Sequence, residues 1–237
     1  MRLLRVYLVA LLLAAPAFAQ DAQPVPQPAP EAAPAPEAAP AAPAPEAVPA
    51  PPASPSNPIP TGPKVLIQTT MGDITLQLDQ ERAPKSVANI LAYVRSKHFD
   101  GTAVYRVEKG FVIQMGSFDA KSQYRRVRAP IALEANNKLS NLRGTVALAR
   151  GDGPGEGATA EFFINVKDNQ GLDQIPDDKD NKTGYAVFGQ VIAGMDVVDA
   201  ISNVPVGMNG PMPGSAPVTP IVIRRVSIVP EPKPAAP

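Results

Sequence analysis

The sequence predicts a mainly β domain that carries two helices and follows a long segment without a hydrophobic core. Three observations support this fold class. Residues 64–229 contain many short stretches in which apolar and polar residues alternate, two stretches have apolar residues three and four apart, and residues 20–63 consist largely of Pro, Ala, Glu and Val. Short strands with two separated helices fit a β-barrel capped at its ends, but composition alone does not distinguish that barrel from a β-sandwich.

The first strands form a predicted hairpin over residues 65–79. Ile74, Leu76 and Leu78 alternate with polar residues, so one face of this segment is expected to be buried and the other exposed. Further strands are predicted at residues 102–107, 112–116, 144–149, 162–166, 185–191 and 221–229.

Two helices are predicted, the first beginning at Pro84 and the second spanning residues 195–202. Proline is favoured in the first turn of a helix because its missing N–H would have no partner there. The apolar residues Val87, Ile90, Leu91 and Val94 follow at three- and four-residue spacing, which gives the first helix one apolar stripe.

The N-terminus has the pattern of a secretory signal peptide, assigned to residues 1–19. Arg2 and Arg5 precede an apolar run over residues 6–13, and Ala17-Phe18-Ala19 supplies small residues before the cleavage site. The run is too short to span a bilayer stably, so a transmembrane anchor is the weaker interpretation. No cysteine follows, which excludes lipoprotein anchoring. We expect an exported, soluble protein in the periplasm or, as second choice, outside the cell.

Residues 20–63 are predicted to be a disordered linker. They hold sixteen prolines and neither lysine nor arginine, and such a segment cannot form a helix or bury a core. Its Pro-Ala repeats favour extended polyproline-II geometry at about 3.1 Å per residue. We interpret it as a spacer, and the alternative is a ligand for a partner's aromatic groove or for the cell wall. A Pro-rich tail covers residues 230–237.

Composition excludes several functional classes. The chain of 237 residues has no cysteine, which rules out a thiol nucleophile, a cysteine-based zinc site and disulfides. Residues 64–237 carry 20 basic and 18 acidic side chains, so neither nucleic acid nor a membrane surface is an expected partner. We expect a monomer with no metal ion or other cofactor.

Two apparent ligand motifs fail on inspection. The glycine-rich residues 151–157 are not followed by Gly-Lys-Ser/Thr, so a phosphate loop is not expected. Residues 177–181 are acidic but lack the glycine and glutamate of a calcium loop. His98, the only histidine, is expected to be structural.

Three ordered blocks carry a family resemblance. Residues 105–116 read YRVEKGFVIQMG, residues 161–165 read EFFIN and residues 184–189 read GYAVFG. Their order and spacing resemble the active-site strands of the cyclophilins, and the resemblance covers residues 64–229. It implies a closed eight-stranded antiparallel cyclophilin-like β-barrel capped by two α-helices, with the substrate groove on the outer wall, and it thereby decides between barrel and sandwich.

The resemblance also implies the site of a peptidyl-prolyl cis-trans isomerase. Arg106 would be the catalytic donor to the prolyl nitrogen, and Gln114 would hold a neighbouring substrate carbonyl. The other implied substrate-binding residues are Phe111, Val112, Phe163 and Leu172 in an apolar pocket for the proline ring, Tyr185 closing that pocket, Ala149 and Arg150 on a strand edge that pairs with the peptide, and Glu161 beside the groove.

Four departures from the family pattern bear on specificity. Glu161 stands in place of a usual glutamine and adds a negative charge, and Arg150 replaces a common asparagine and is expected to pair with Glu161. Gly171 occupies a position where tryptophan or phenylalanine is common, which implies weak inhibition by cyclosporin. Residues 108–110, Glu-Lys-Gly, replace a usual Ile-Pro-Gly turn, which we expect to change the surface and not the mechanism.

The leading hypothesis is therefore an isomerase that acts on proline-containing polypeptides and assists the folding of exported proteins. One rival is a binding module on the same fold that holds such segments as a chaperone or scaffold without turnover. Another is a structural role in which the Pro-rich linker docks to an envelope partner. Arg106 favours catalysis, because a pure binder needs no donor aimed at the prolyl nitrogen.

Overall fold

The computed structural model describes residues 56–151, 157–180 and 182–230. Eight antiparallel strands in this part of the chain close into a barrel, in the order β1, β10, β3, β4, β6, β5, β7, β2. The barrel strands are β1 (Lys64–Thr69), β2 (Asp73–Leu78), β3 (Thr102–Glu108), β4 (Val112–Asp119), β5 (Thr145–Arg150), β6 (Ala158–Asn165), β7 (Val187–Ala193) and β10 (Ile221–Val229). The predicted fold class is confirmed.

The remaining elements are two helices, one short helical turn and a ribbon of two short strands. They are α1 (Pro84–Arg95), α2 (Met195–Ser202), the 3₁₀ turn Gln170–Leu172, β8 (Val206–Gly207) and β9 (Ala216–Pro217). The β8–β9 ribbon and the 3₁₀ turn were not predicted, because segments this short carry no periodic pattern.

The barrel interior is built from residues that face each other across the strands. Val107 pairs with Ile113, Ile113 with Ile164, and Ile164 with Val146, which gives one row over β3, β4, β6 and β5. All four belong to the main buried cluster. Because strand side chains alternate, the neighbouring row on the same four strands must face outward.

Both helices contribute to the same buried cluster. Val87 and Ile90 of α1 and Val198 and Ile201 of α2 lie in it together with the barrel's inner residues. Helix α1 contacts β6 and β10, whereas α2 contacts β2, β3 and β4. Within the described residues, no helix is long and apolar enough to cross a membrane.

Residues just before Lys64, the first residue of the predicted domain, form hydrogen bonds with that domain. The Pro63 carbonyl accepts the Leu78 N–H at 2.9 Å, and the Gly62 N–H donates to the Leu78 carbonyl at 3.1 Å. The side chain of Asn57 donates to the Ser140 carbonyl at 2.7 Å and accepts the Ser140 N–H at 2.9 Å.

Gly62 and Pro63 of the predicted linker are thus bonded to β2 through the main chain and Asn57 to Ser140 through its side chain, contacts that a Pro-rich composition does not reveal. The predicted signal peptide, residues 20–55 of the linker and residues 231–237 of the tail lie outside the described residues.

His98 lies just after α1 in a partly buried aromatic setting. Its Nε2 donates to the Gly116 carbonyl at 3.0 Å, and its ring packs 4.7 Å from the Tyr93 ring, centroid to centroid. Burial, assisted by the positive charges of Arg125 and Arg128, lowers the pKa of His98 below its ordinary value despite the opposing bond to Gly116.

This lowered pKa predicts an acid-sensitive step in stability. In the unfolded chain His98 is protonated with a pKa of about 6.5, whereas in the folded protein its pKa is lower. The unfolded state therefore binds more protons below about pH 6.5, and the free energy of unfolding should fall as the pH drops. Urea unfolding should therefore show that the free energy of unfolding falls more between pH 7.5 and pH 5 for wild type than for His98→Gln. The variant keeps a donor for the Gly116 carbonyl. NMR titration of this single imidazole measures the folded pKa directly, and a value at or above 6.5 would contradict the prediction.

Candidate active site

A row of outward-facing residues crosses four neighbouring strands of the barrel wall. Arg106 pairs with Gln114, Gln114 with Phe163, and Phe163 with Ala147. This row lies next to the interior row in register and therefore has the opposite orientation. Residues from two of the three ordered sequence blocks are thus brought side by side by strand pairing.

The row forms the floor of a groove with a free volume of about 390 Å³, within the usual range of small-ligand sites. Its lining consists of Arg106, Phe111, Val112, Gln114, Ala149, Arg150, Phe163, Leu172, Tyr185 and Met212. The structure therefore gathers every residue that the sequence predicted for the site except Glu161.

The apolar part of the groove rests on its own small core. Phe163 is only 5% exposed and lies in a cluster with Val112, Ala147 and other residues that is separate from the barrel interior. The rings of Phe163 and Tyr185 meet edge to face with centroids 5.5 Å apart, a favourable aromatic geometry. Phe111 packs against the same cluster, so one end of the groove offers aromatic and aliphatic surface.

Arg106 is held on two sides. Its Nη1 donates to Gln114 Oε1 at 3.0 Å, while its Nε and Nη2 each lie 3.3 Å from Glu108 Oε1. A guanidinium has five N–H groups, and the hydrogen bonds to Gln114 and Glu108 use only two of them within the described residues. The side chain is 25% exposed, so a fixed cation presents N–H groups at the groove.

The turn at residues 108–110 contains one residue, Glu108, that contacts the predicted donor. It lies two residues after Arg106 on β3, on the same outer face, and its carboxylate contacts the guanidinium. The alternation of strand side chains was a signal that could have identified this contact.

A hydrogen-bonded chain continues from Gln114 away from Arg106. Gln114 Nε2 donates to the Tyr105 hydroxyl, and the charge of Glu161 lies near that hydroxyl. Burial, followed by the nearby Glu161 charge, raises the pKa of Tyr105 far above its ordinary value, so the hydroxyl remains a donor.

Tyr105 reaches the outer side because β3 has an irregular register. Val104 pairs with Met115 but Arg106 pairs with Gln114, so β3 has one residue more than β4 at this point. Such a β-bulge breaks strict alternation, and Tyr105 and Arg106 both contact Gln114. Sequence periodicity could not reveal this arrangement.

Glu161 lines a second depression beside the groove. Ala149 and Arg150 border both spaces, and the second one has a free volume of about 550 Å³. Glu161 is half-buried, and its charge therefore faces the space next to the groove.

The pairing of Arg150 with Glu161 stays a prediction, and the described contacts of Arg150 are with other residues. Arg150 Nε donates to the Gly184 carbonyl at 2.9 Å, and its guanidinium lies 5.2 Å from the centroid of the Tyr185 ring.

A buried amide network lies behind the apolar end of the groove. Asn165, which is fully buried, donates to Asn141 Oδ1 at 3.1 Å and to Thr145 Oγ1 at 2.9 Å. Asn169 donates to Asn165 Oδ1 at 2.8 Å and to the Phe111 carbonyl at 3.0 Å. These polar groups satisfy one another away from water, so they fix the main chain at Phe111.

The same network reaches the loops that carry Leu172 and Tyr185. Asn141 donates to Asp173 Oδ1 through its main-chain N–H at 2.7 Å and through its Nδ2 at 2.9 Å. The Tyr185 N–H donates to the Leu172 carbonyl at 2.9 Å. Gly184 precedes this bond with φ of 76°, and a Cβ there would lie 2.5 Å from the Gln174 nitrogen, so only glycine fits.

The groove and the cluster beneath it contain three further residues that were not predicted. Met212 comes from the connection between β8 and β9 and lines the groove, while Leu139 and Val187 lie in the cluster beneath it. Leu139 belongs to a long irregular segment, and Met212 is 40% exposed, so neither has a pattern that marks it. Within the described residues, no group of three or more His, Cys, Asp or Glu side chains is placed to hold a metal ion.

Comparisons with known proteins agree with this geometry. The family model described as "Cyclophilin type peptidyl-prolyl cis-trans isomerase/CLD" matches residues 64–228. A peptidyl-prolyl cis-trans isomerase of Streptomyces antibioticus is 47% identical over 165 residues, which cover 70% of this chain and 98% of that protein. Peptidyl-prolyl cis-trans isomerase A of Dickeya dadantii is 43% identical over 169 residues, covering 71% of this chain and 86% of that protein.

The fold has solved relatives as well. The crystal structure of a Cryptosporidium parvum cyclophilin, obtained in the presence of the dipeptide Ala-Pro, matches with a TM-score of 0.57 and 25% sequence identity, covering 71% of this chain and 99% of that chain. The chain belongs to the cyclophilin-type peptidyl-prolyl cis-trans isomerases and is an enzyme of that class.

Proposed function

We propose that this isomerase accelerates rotation about X-Pro bonds in exported polypeptides, with Arg106 as the donor to the prolyl nitrogen, and so assists their folding. The observation that carries the proposal is the in-register row of Arg106, Gln114 and Phe163 beside an apolar pocket.

The chemistry requires stabilisation of a twisted amide and no change of covalent bonds. Amide resonance sets a barrier of about 18–20 kcal/mol to rotation. In the twisted transition state the prolyl nitrogen becomes pyramidal and regains a lone pair that can accept a hydrogen bond. A guanidinium N–H from Arg106 would stabilise that state more than the planar one, which lowers the barrier.

The other groove residues position the substrate in this proposal. The proline ring would lie against Phe111, Phe163 and Leu172, with Tyr185 at its side. Gln114 donates one N–H to Tyr105, and its side-chain carbonyl accepts from Arg106. Its second N–H is therefore available for a substrate carbonyl.

The β5 end at Ala149 and Arg150 would pair with the main chain of the peptide, as an extended ligand pairs with a strand edge. The solved cyclophilin obtained with Ala-Pro supports a short proline peptide as ligand. Proline-containing polypeptides are therefore the proposed substrates.

Arg106→Ala should lower the catalytic rate constant by about tenfold to a thousandfold, because the donor to the transition state is lost. Exchange NMR on an Ala-Pro peptide with the full chain measures this rate, and circular dichroism checks that the variant folds. The matched control is Arg224→Ala, which removes an exposed arginine of β10 outside the groove.

Full activity in folded Arg106→Ala would overturn the mechanism. Peptide binding by the wild type without accelerated exchange would support the rival binding module.

Glu161 should favour substrates with a basic residue flanking the proline, because its charge faces the space next to the groove. A half-exposed ion pair is worth about 0.2–1 kcal/mol, so a Lys peptide should exceed the matching Glu peptide by about 1.5- to 5-fold in kcat/KM at low ionic strength. Glu161→Gln should remove most of this preference, as should high salt. If wild type and Glu161→Gln preferred the Lys peptide equally, the selectivity would come from another residue.

The export part of the proposal rests on the pattern of residues 1–19. When the full chain is expressed in a Gram-negative host, osmotic shock should release a protein that begins at Gln20, as determined by N-terminal sequencing. Leu12→Arg interrupts the apolar run and should leave the uncleaved protein inside the cell. A wild-type protein that retains residues 1–19 in the cytoplasmic fraction would contradict export.

A further inference from the structure

We propose that Glu108 is a positioning residue for the Arg106 guanidinium and that Ser215 holds Glu108 in place. The chain following β8 would thereby set the orientation of the catalytic donor. This inference rests on the proposed function, because it assumes that Arg106 acts on the prolyl nitrogen.

The contacts form a continuous path from the loop to the guanidinium. Ser215 Oγ donates to Glu108 Oε1 at 2.6 Å. The same oxygen lies 3.3 Å from Arg106 Nε and 3.3 Å from Nη2. The loop is also fixed to β3 through the main chain, since the Val107 N–H donates to the Ser215 carbonyl at 2.7 Å.

Glu108 and Gln114 hold opposite sides of the guanidinium. Gln114 accepts only from Nη1, and one such bond leaves the end of a long flexible side chain able to turn. A second acceptor at Nε and Nη2 removes that freedom before the substrate binds. Arginine loses much rotamer entropy when it is ordered, so an arginine that is already ordered pays less of this cost in the transition state.

Orientation should matter more than net charge in this reaction. The prolyl nitrogen regains a lone pair on twisting but gains no formal charge, so its stabilisation depends on a directed N–H. A carboxylate that neutralises part of the Arg106 charge can therefore still assist catalysis. If the charge of the donor were decisive, removing Glu108 would raise the rate instead.

The same loop contributes to the groove wall. Residues 203–220 contain no charged side chain, and Met212 in this segment lines the groove. The bond from Ser215 to Glu108 therefore links a surface that faces the substrate with the residue that orients Arg106.

The decisive experiment is a double-mutant cycle measured by exchange NMR on an Ala-Pro peptide with the full chain. Glu108→Leu should lower kcat by about three- to tenfold with KM changed less than about twofold, because the donor is misplaced while the pocket remains. Glu108→Gln keeps an acceptor oxygen and should retain most of the activity. Ser215→Ala should cause a smaller loss in the same direction.

The cycle is completed in the Arg106→Ala background, where Glu108→Leu should cause no further loss. A Glu108 that only supported the fold would lower activity in that background as well. Lys109→Ala, which removes an exposed charge from the same turn, is the matched control and should be neutral. Urea unfolding shows whether each variant is folded.

The outcomes separate this inference from the proposed function. Full activity of Arg106→Ala would overturn both. A strong loss in Arg106→Ala together with unchanged or raised kcat in Glu108→Leu would overturn the positioning role of Glu108 alone. Equal losses from Glu108→Leu in the presence and absence of Arg106 would overturn it too.

Discussion

The site depends on the hydrogen-bond register of the closed barrel. Arg106, Gln114, Phe163 and Ala147 lie side by side only because β3, β4, β6 and β5 pair in this alignment. A slip of one residue would turn each side chain to the opposite face and bury the arginine. The interior row of aliphatic residues opposes such a slip, because the slip would move these side chains into water. The barrel core therefore fixes the geometry of the outer groove.

Much of this arrangement could be predicted from the sequence. Short-range alternation located the strands, and ordered blocks that resemble a known family identified the groove residues. Alternation alone left barrel and sandwich open, because closure depends on pairings such as β1 with β10 that connect the two ends of the domain. Local pattern does not encode those pairings, and the family resemblance supplied them.

The residues that were missed have long-range or irregular causes. Ser215 and Glu108 are 107 positions apart, and Tyr105 reaches the site through a β-bulge. Asn57 binds Ser140 across 83 positions and thereby attaches the end of a segment that was predicted to be linker. Each contact depends on the completed fold, so composition and periodicity could not predict it.

The charged residues of the site are held by local partners. Glu108 forms an ion pair with Arg106, Glu161 lies near the Tyr105 hydroxyl, and Arg150 lies over the Tyr185 ring. The Glu108 carboxylate weakens the field of Arg106 in the groove, whereas the N–H groups of Arg106 and Gln114 keep fixed directions. Rotation about a neutral amide develops no formal charge, so it gains more from directed donors than from a strong field. The polar network is therefore suited to stabilising a twisted amide.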